Sequence, residues 1–185
     1  MNTETFARTK PGHLFIKILA SAMESRFRYK FFSPEKYLEG INDLKGKNVL
    51  EIGCGTGFFT IPAARLIGEQ GLLVSMDILQ ESVDIVSLKV AEAGLKNVRV
   101  IKGNAVKTDL PDQNFQTVIL FGIVPAPMIP LKDLLKEIRR VLNYEGTLAV
   151  WPPIPGIRKS ILKTGFFSYI NKKNGVYNFI KEMNN

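Results

Sequence analysis

The chain has 185 residues, 45% hydrophobic and 23% charged, with 15 glycines and 10 prolines, which fits one globular unit able to bury about 70% of its unfolded surface. One cysteine, Cys54, and one histidine, His13, exclude an internal disulfide framework and the usual zinc clusters, so no metal site is expected. The formal net charge is +8, and because no run of five or more like charges occurs it reads as a solvated face that keeps the protein soluble, with an anionic partner as the alternative.

In chain order, residues 11–32 place Leu14, Phe15, Ile18, Leu19, Ala22 and Phe27 among Lys17, Arg26, Arg28 and Lys30, the pattern of an amphipathic helix beside a core. Strands are predicted over Asn48 to Ile52, Leu72 to Asp77, Val98 to Lys102, Thr117 to Phe121 and Gly146 to Trp151. Between them fall helices over Gly57 to Ile67, Gln80 to Ala93 with Gly94 as the stop, and Pro130 to Leu142 with one apolar stripe. Residues 104–114, with Pro111, read as loop, so strand three reaches strand four by an irregular crossover. Strands alternating with helices predict a mostly parallel sheet covered on both faces. Pro152, Pro153 and Pro155 end the last parallel strand, because prolines remove ladder donors. A short helix follows near Ile157 to Lys163, and Phe166 to Asn171 and Val176 to Lys181 flank Asn174-Gly175, a strong hairpin signal. The longest apolar stretch, 117–130, is broken by Gly122, Pro125 and Pro127 and falls short of the roughly 20 residues that span a bilayer. With Glu4 near the N-terminus and no apolar signal-peptide core, the expected compartment is the cytoplasm.

Chemistry concentrates at Val49-Leu50-Glu51-Ile52-Gly53-Cys54-Gly55-Thr56-Gly57, where a buried strand runs into a helix. Glycines there let backbone approach a ligand, and a helix N-terminus offers amide donors. Twenty residues past Gly57 the second strand ends in Asp77, whose carboxylate can accept hydrogen bonds from both ribose hydroxyls of a ligand lying over the loop. Together they indicate an adenosine-containing cofactor. The spacing Gly-x-Gly-x-Gly departs from the Gly-x-Gly-x-x-Gly of nicotinamide sites, and Glu51 would repel a pyrophosphate. An anion at that place suits the ammonium and sulfonium groups of S-adenosylmethionine.

These residues resemble the class I S-adenosylmethionine-dependent methyltransferases over roughly Leu44 to Lys181. The first motif of that family is similar to Val49–Gly57, its ribose acid to Asp77, and its adenine-side motif to Gly103-Asn104-Ala105 followed by Leu110-Pro111. Ser33-Pro34-Glu35-Lys36 and Gly57-Phe58-Phe59-Thr60 resemble the small-molecule branch containing ubiquinone/menaquinone-type methyltransferases. The resemblance implies a Rossmann-like, doubly wound seven-stranded α/β sheet in the order 3-2-1-4-5-7-6 with an antiparallel C-terminal hairpin. It implies a cap over residues 1–44 and a donor-binding domain over 45–185. The donor would be held by Glu51, Gly53, Cys54, Gly55, Gly57, Asp77, Ile78, Asn104, Ala105 and Phe121. Asn104 stands where the family usually has Asp; its amide oxygen can still accept from the adenine amino group. After strand four, Val124-Pro125-Ala126-Pro127 departs from the motif of amino-methylating enzymes acting on nucleobases. The acceptor pocket is expected from the N-terminal segment, the Ile123–Ile129 loop and the Pro152–Gly156 loop.

Other residues read more plainly. Cys54 is a small buried spacer, Tyr29, Tyr37 and Trp151 are packing residues, and His13 is the one nominee for a general base. Residues 1–47 carry nine Lys/Arg against five acids, 48–155 ten against eleven, and 156–185 six against one. Both ends are therefore basic around a near-neutral centre. That distribution keeps RNA methylation as an alternative to a small-molecule acceptor, with steep salt dependence as its signature, and peripheral contact of the N-terminal segment with anionic membranes as a further one. A third alternative is a partner protein that binds the methyl donor without transferring it.

Overall fold

The computed structural model describes residues 33–124 and 129–183; the predicted helix over 11–32, with His13 and Tyr29, lies outside them, as do Pro125, Ala126 and Pro127. The described chain opens with α1 (Pro34–Leu38) and continues through β1 (Asn48–Ile52), α2 (Thr60–Ile67), β2 (Leu72–Asp77), α3 (Gln80–Glu92) and β3 (Val98–Lys102). After an irregular crossover come β4 (Phe115–Phe121), α4 (Leu131–Val141), β5 (Leu142–Trp151), α5 (Ile157–Leu162), β6 (Phe167–Lys173) and β7 (Val176–Lys181). The seven strands form one sheet ordered β3-β2-β1-β4-β5-β7-β6. Pairs among the first five are parallel and β7 runs antiparallel to both β5 and β6, the order and directions that the family resemblance implies.

The first three strands match their predicted bounds: β1 and β2 are runs buried on both faces, and β3 is a half-exposed edge strand that alternates Val98, Val100 and Ile101 with Arg99 and Lys102. Helix α2 begins three residues later than expected. Gly57 has φ +84°, a left-handed conformation that a right-handed helix cannot contain, so residues 55–59 form turns and Pro62 falls in the helix's first turn. Helix α3 ends in a Schellman motif, with the Leu95 N–H on the Val90 carbonyl (3.2 Å) and the Gly94 N–H on the Ala91 carbonyl (3.0 Å). Strand β4 begins at Phe115, two residues before its expected start, because the buried Phe115 already pairs with Leu142. The register then slips between Phe115 and Thr117, so β5 starts directly at the end of α4 instead of at Gly146.

Two clusters sandwich the sheet. The larger joins Leu50, Ile52, Val74, Met76 and Leu120 to Leu134, Leu135 and Ile138 of α4 and to Phe167 and Phe179 of the hairpin. The other joins Val49, Leu73, Ile119 and Phe121 to Ala63, Ala64 and Ile67 of α2 and to Leu38, Ile41 and Leu44. The stretch before β1 is thus buried against the sheet. Its helix α1 was not anticipated from periodicity, although Ser33 as N-cap, accepting from the Lys36 N–H, and Pro34 in the first turn are a recognisable start. No helix among the described residues is long and apolar enough to cross a membrane.

Candidate functional site

The sheet order reverses between β1 and β4, and in such sheets the crevice at the strands' carboxyl ends is where ligands bind. The loop leaving β1 lies there. Gly53, Gly55 and Gly57 have φ of +76°, +53° and +84°. The Gly53 and Cys54 N–H groups both donate to the Met76 carbonyl (2.7 and 3.1 Å), which turns the loop onto the end of β2. A Cβ on Gly53 would lie 1.9 Å from Cδ1 of Ile123, so the residue after Gly122 is packed onto the loop.

Two carboxylates flank that loop, with different partners. Asp77 Oδ2 accepts from the Gly55 N–H (2.9 Å) and Oδ1 from the Leu79 N–H (3.0 Å). It therefore ties the glycine loop to the start of α3, and each oxygen keeps further acceptor capacity. Burial pushes its pKa up, opposed by the N–H groups of Leu79, Gly55 and Ile78. Glu51 lies deeper, only 3% exposed. Its Oε2 accepts from the Ser75 hydroxyl (2.6 Å) and the Thr60 hydroxyl (2.7 Å). Burial raises its pKa, the two hydroxyls oppose the rise, and the charge of Asp77 adds to it. The Cys54 thiol is buried with Val86 and Val90, and burial pushes its pKa far above the ordinary thiol range. It is an inert spacer. Lys89 of α3 donates to the Thr56 carbonyl (2.9 Å), closing the loop from the helix side.

At the end of β3 the Gly103 N–H donates to the Asp77 carbonyl (2.9 Å), placing residues 103–105 beside the carboxylate. Asn104 is exposed, and its Oδ1 accepts from the Val106 N–H (3.1 Å), which leaves one lone pair. Ala105 is half-buried against the main core. At the end of β4, Phe121 packs edge-on against Phe59 (centroids 4.9 Å) and near Trp151 (6.1 Å), which leans on Tyr37 (4.7 Å). Tyr37 and Trp151 are packing residues of this cluster. The Gly122 N–H donates to the Trp151 carbonyl (2.7 Å), and nothing stands within 4 Å of where its Cβ would be.

The fold thus gathers Glu51, the glycine loop, Asp77, Ile78, Asn104, Ala105 and Phe121 at one sheet edge. Ser75 and Lys89 were not anticipated, nor was the bond of Thr60 to Glu51 or the packing of Ile123 on Gly53, although both residues stand in stretches singled out in the sequence. Ser75 left a signal: it is a lone hydroxyl inside a buried strand, and such a group needs a partner, which register supplies by pairing it with Glu51.

Residues 43–173 match the family described as methyltransferase domain. A demethylmenaquinone methyltransferase from Listeria monocytogenes is 35% identical over 131 residues, covering 68% of this chain and 54% of that protein. The chain spans about half the length of the curated relatives it matches. A SAM-dependent methyltransferase from Aquifex aeolicus superposes with a TM-score of 0.74 at 23% identity, over 88% of this chain and 95% of that one. The cyclase SpnF superposes with a TM-score of 0.65 at 22% identity, over 75% and 57% of the two chains.

Proposed function

We propose, on the premise that this chain belongs to the methyltransferase-domain family, that it is an S-adenosylmethionine-dependent methyltransferase with a small-molecule acceptor. The observation that carries this reading is Asp77 at the tip of β2, bonded to the N–H groups of Gly55 and Leu79, which puts a half-buried acceptor group beside the glycine loop at the switch point. The residues fit an adenosyl donor. Asp77 would accept from the ribose hydroxyls, Asn104 Oδ1 from the adenine amino group beside Ile78 and Ala105, and the Gly53–Gly57 backbone, Cys54 included, would line the methionine end. Glu51, beneath the loop, would supply negative potential toward the ammonium and sulfonium. Phe121 and the open space at Gly122 lie where donor and acceptor would meet.

The donor, when bound, supplies a methyl group on a sulfonium leaving group. The chain's task is then alignment and exclusion of water, effects worth up to roughly 7–11 kcal/mol. The aromatic cluster of Phe59, Phe121, Trp151 and Tyr37 would give the acceptor side an apolar floor. This supports an apolar acceptor, in keeping with the quinone-type relative named above. The same reading assigns residues 1–44 to an acceptor-side cap. Its described part is fastened to the hairpin, with Asn174 donating to the Lys36 carbonyl (2.8 Å) and Asn178 to the Gly40 carbonyl (2.9 Å).

Calorimetric titration with S-adenosylmethionine, S-adenosylhomocysteine and NADH tests the donor site. Binding of the first two, absent for NADH and weakened at least about tenfold in Asp77→Ala, is expected. Binding of NADH alone would overturn the reading. Because one scaffold hosts unrelated chemistries, turnover is the second step: methyl transfer to hydroxylated or quinol-type aromatics is expected, and binding without transfer to any acceptor would leave a donor-holding protein instead.

A further inference from the structure

The crossover from β3 to β4 carries the adenine-side residues, yet it contains no helix among residues 103–114. At its start the Gly103 N–H is bonded to the Asp77 carbonyl. Five residues later Thr108 is seized from the other side. Glu137 of α4 accepts at Oε1 from both the Thr108 N–H (2.7 Å) and the Thr108 hydroxyl (2.6 Å). Arg140, one turn further, donates through Nε to Glu137 Oε2 (3.0 Å) and through Nη2 to Glu137 Oε1 (2.6 Å) and the Thr108 hydroxyl (3.1 Å). Its Nη1 is paired with Asp112. On the turn's solvent side, Val106, Lys136, Glu137 and Arg140 border an open pocket of about 480 Å³. Ala105 and Val106 hold one side of the turn on the main core, and these charge-assisted bonds hold its far end at Thr108.

We propose that Glu137, locked by Arg140, is a positioning residue for the adenine end of the donor: it sets the placement of the Asn104–Ala105 turn without touching the ligand. The proposal rests on the reading of Asn104 as the adenine contact. The turn is strung between two anchors, the Asp77 carbonyl and the Glu137 carboxylate, so both the ribose acid and the adenine acceptor are held to one frame. Without the second anchor the turn retains Asn104 but loses its fixed distance from Asp77. The ribose contact is then preserved while adenine recognition is blurred, because a hydrogen bond weakens steeply once its angle and length drift.

A discriminating ligand separates this role from general support of the fold. S-adenosylhomocysteine and S-inosylhomocysteine differ at the purine 6-position, where an amino donor becomes an oxo acceptor. Titration of wild type is expected to show a preference for the adenosyl ligand. Glu137→Ala should lose about tenfold in affinity for it and less than about twofold for the inosyl ligand, so that the preference collapses. Glu137→Gln, which keeps an acceptor oxygen for Thr108, should restore most of it. Should Glu137→Ala fail to fold by circular dichroism, Thr108→Val, which removes only the hydroxyl, should show the same collapse in smaller measure. An unchanged preference in the folded variants overturns the positioning role and leaves the donor site standing. A wild type without preference for the adenosyl ligand overturns the adenine contact and the positioning role together, and a wild type that binds neither ligand overturns the donor reading itself.

Discussion

Gly53 is where close packing and backbone conformation make the same demand. Its φ of +76° costs a side-chain-bearing residue about 1–2 kcal/mol, and a Cβ would meet Ile123 Cγ1 at 2.6 Å as well as Cδ1. Gly53→Ala is expected to destabilise the protein by about 2–4 kcal/mol, read from urea denaturation. Adding Ile123→Ala should recover part of that loss, giving a coupling of about 1 kcal/mol in a double-mutant cycle; strictly additive losses would show that Ile123 does not rest on the glycine. At the same scale, the motif around Gly53 and the acid at 77 were legible because glycine spacing and a strand-end carboxylate are local in sequence. Ile123 was not, since its contact joins residues 70 positions apart and an isoleucine after a strand carries no distinguishing mark.

Among the elements, the hairpin does more than close the sheet. Asn178 of β7 is buried, donating to the Gly40 carbonyl (2.9 Å) and to Asn171 Oδ1 (2.8 Å), so one amide joins the stretch before β1 to both hairpin strands. Asn178→Ala leaves the Gly40 carbonyl without its partner and is expected to cost about 1–3 kcal/mol. Limited proteolysis should then cut within residues 33–44 while β1 to β5 stay protected; uniform loss of protection would argue that this stretch is not a separately released unit. The hairpin itself was readable from Asn174-Gly175. The attachment of α1 to it was not, because a polar residue in a strand does not reveal which distant carbonyl it will meet.

Across the whole molecule, buried and paired carboxylates give opposite pH signatures. Arg140 holds Glu137 down from 4.5 to about 2. Its ionised form contributes stability that is fully present above pH about 4.5 and is lost as pH falls toward about 2. Glu51 is raised by burial, so its contribution is greatest at low pH and is lost as pH rises through the raised value. Glu51→Gln is therefore expected to raise the melting temperature by about 2–4 °C at pH 8, with the gain vanishing by pH 4, while weakening donor binding. Glu137→Gln should lower it at pH 7 by a similar amount, with the deficit shrinking below pH 4. Melting curves across that range check both, and a pH-independent offset in either variant would contradict the assignment.

The sequence by itself determined the bounds of the first three strands, the glycine loop with Asp77, the hairpin at Asn174-Gly175 and the irregular crossover at 104–114, while the sheet order was implied by the family resemblance. The strand bounds, loop, hairpin and crossover follow from local periodicity, turn chemistry and spacing within a single β-α-β unit or hairpin. Tertiary structure alone decided that Glu51 is buried under two hydroxyls, that Ile123 rests on Gly53, and that Glu137 reaches 29 residues back to hold Thr108. Each of these is a contact across the sheet or between layers, and its partner is chosen by register and packing distance, which no local pattern encodes.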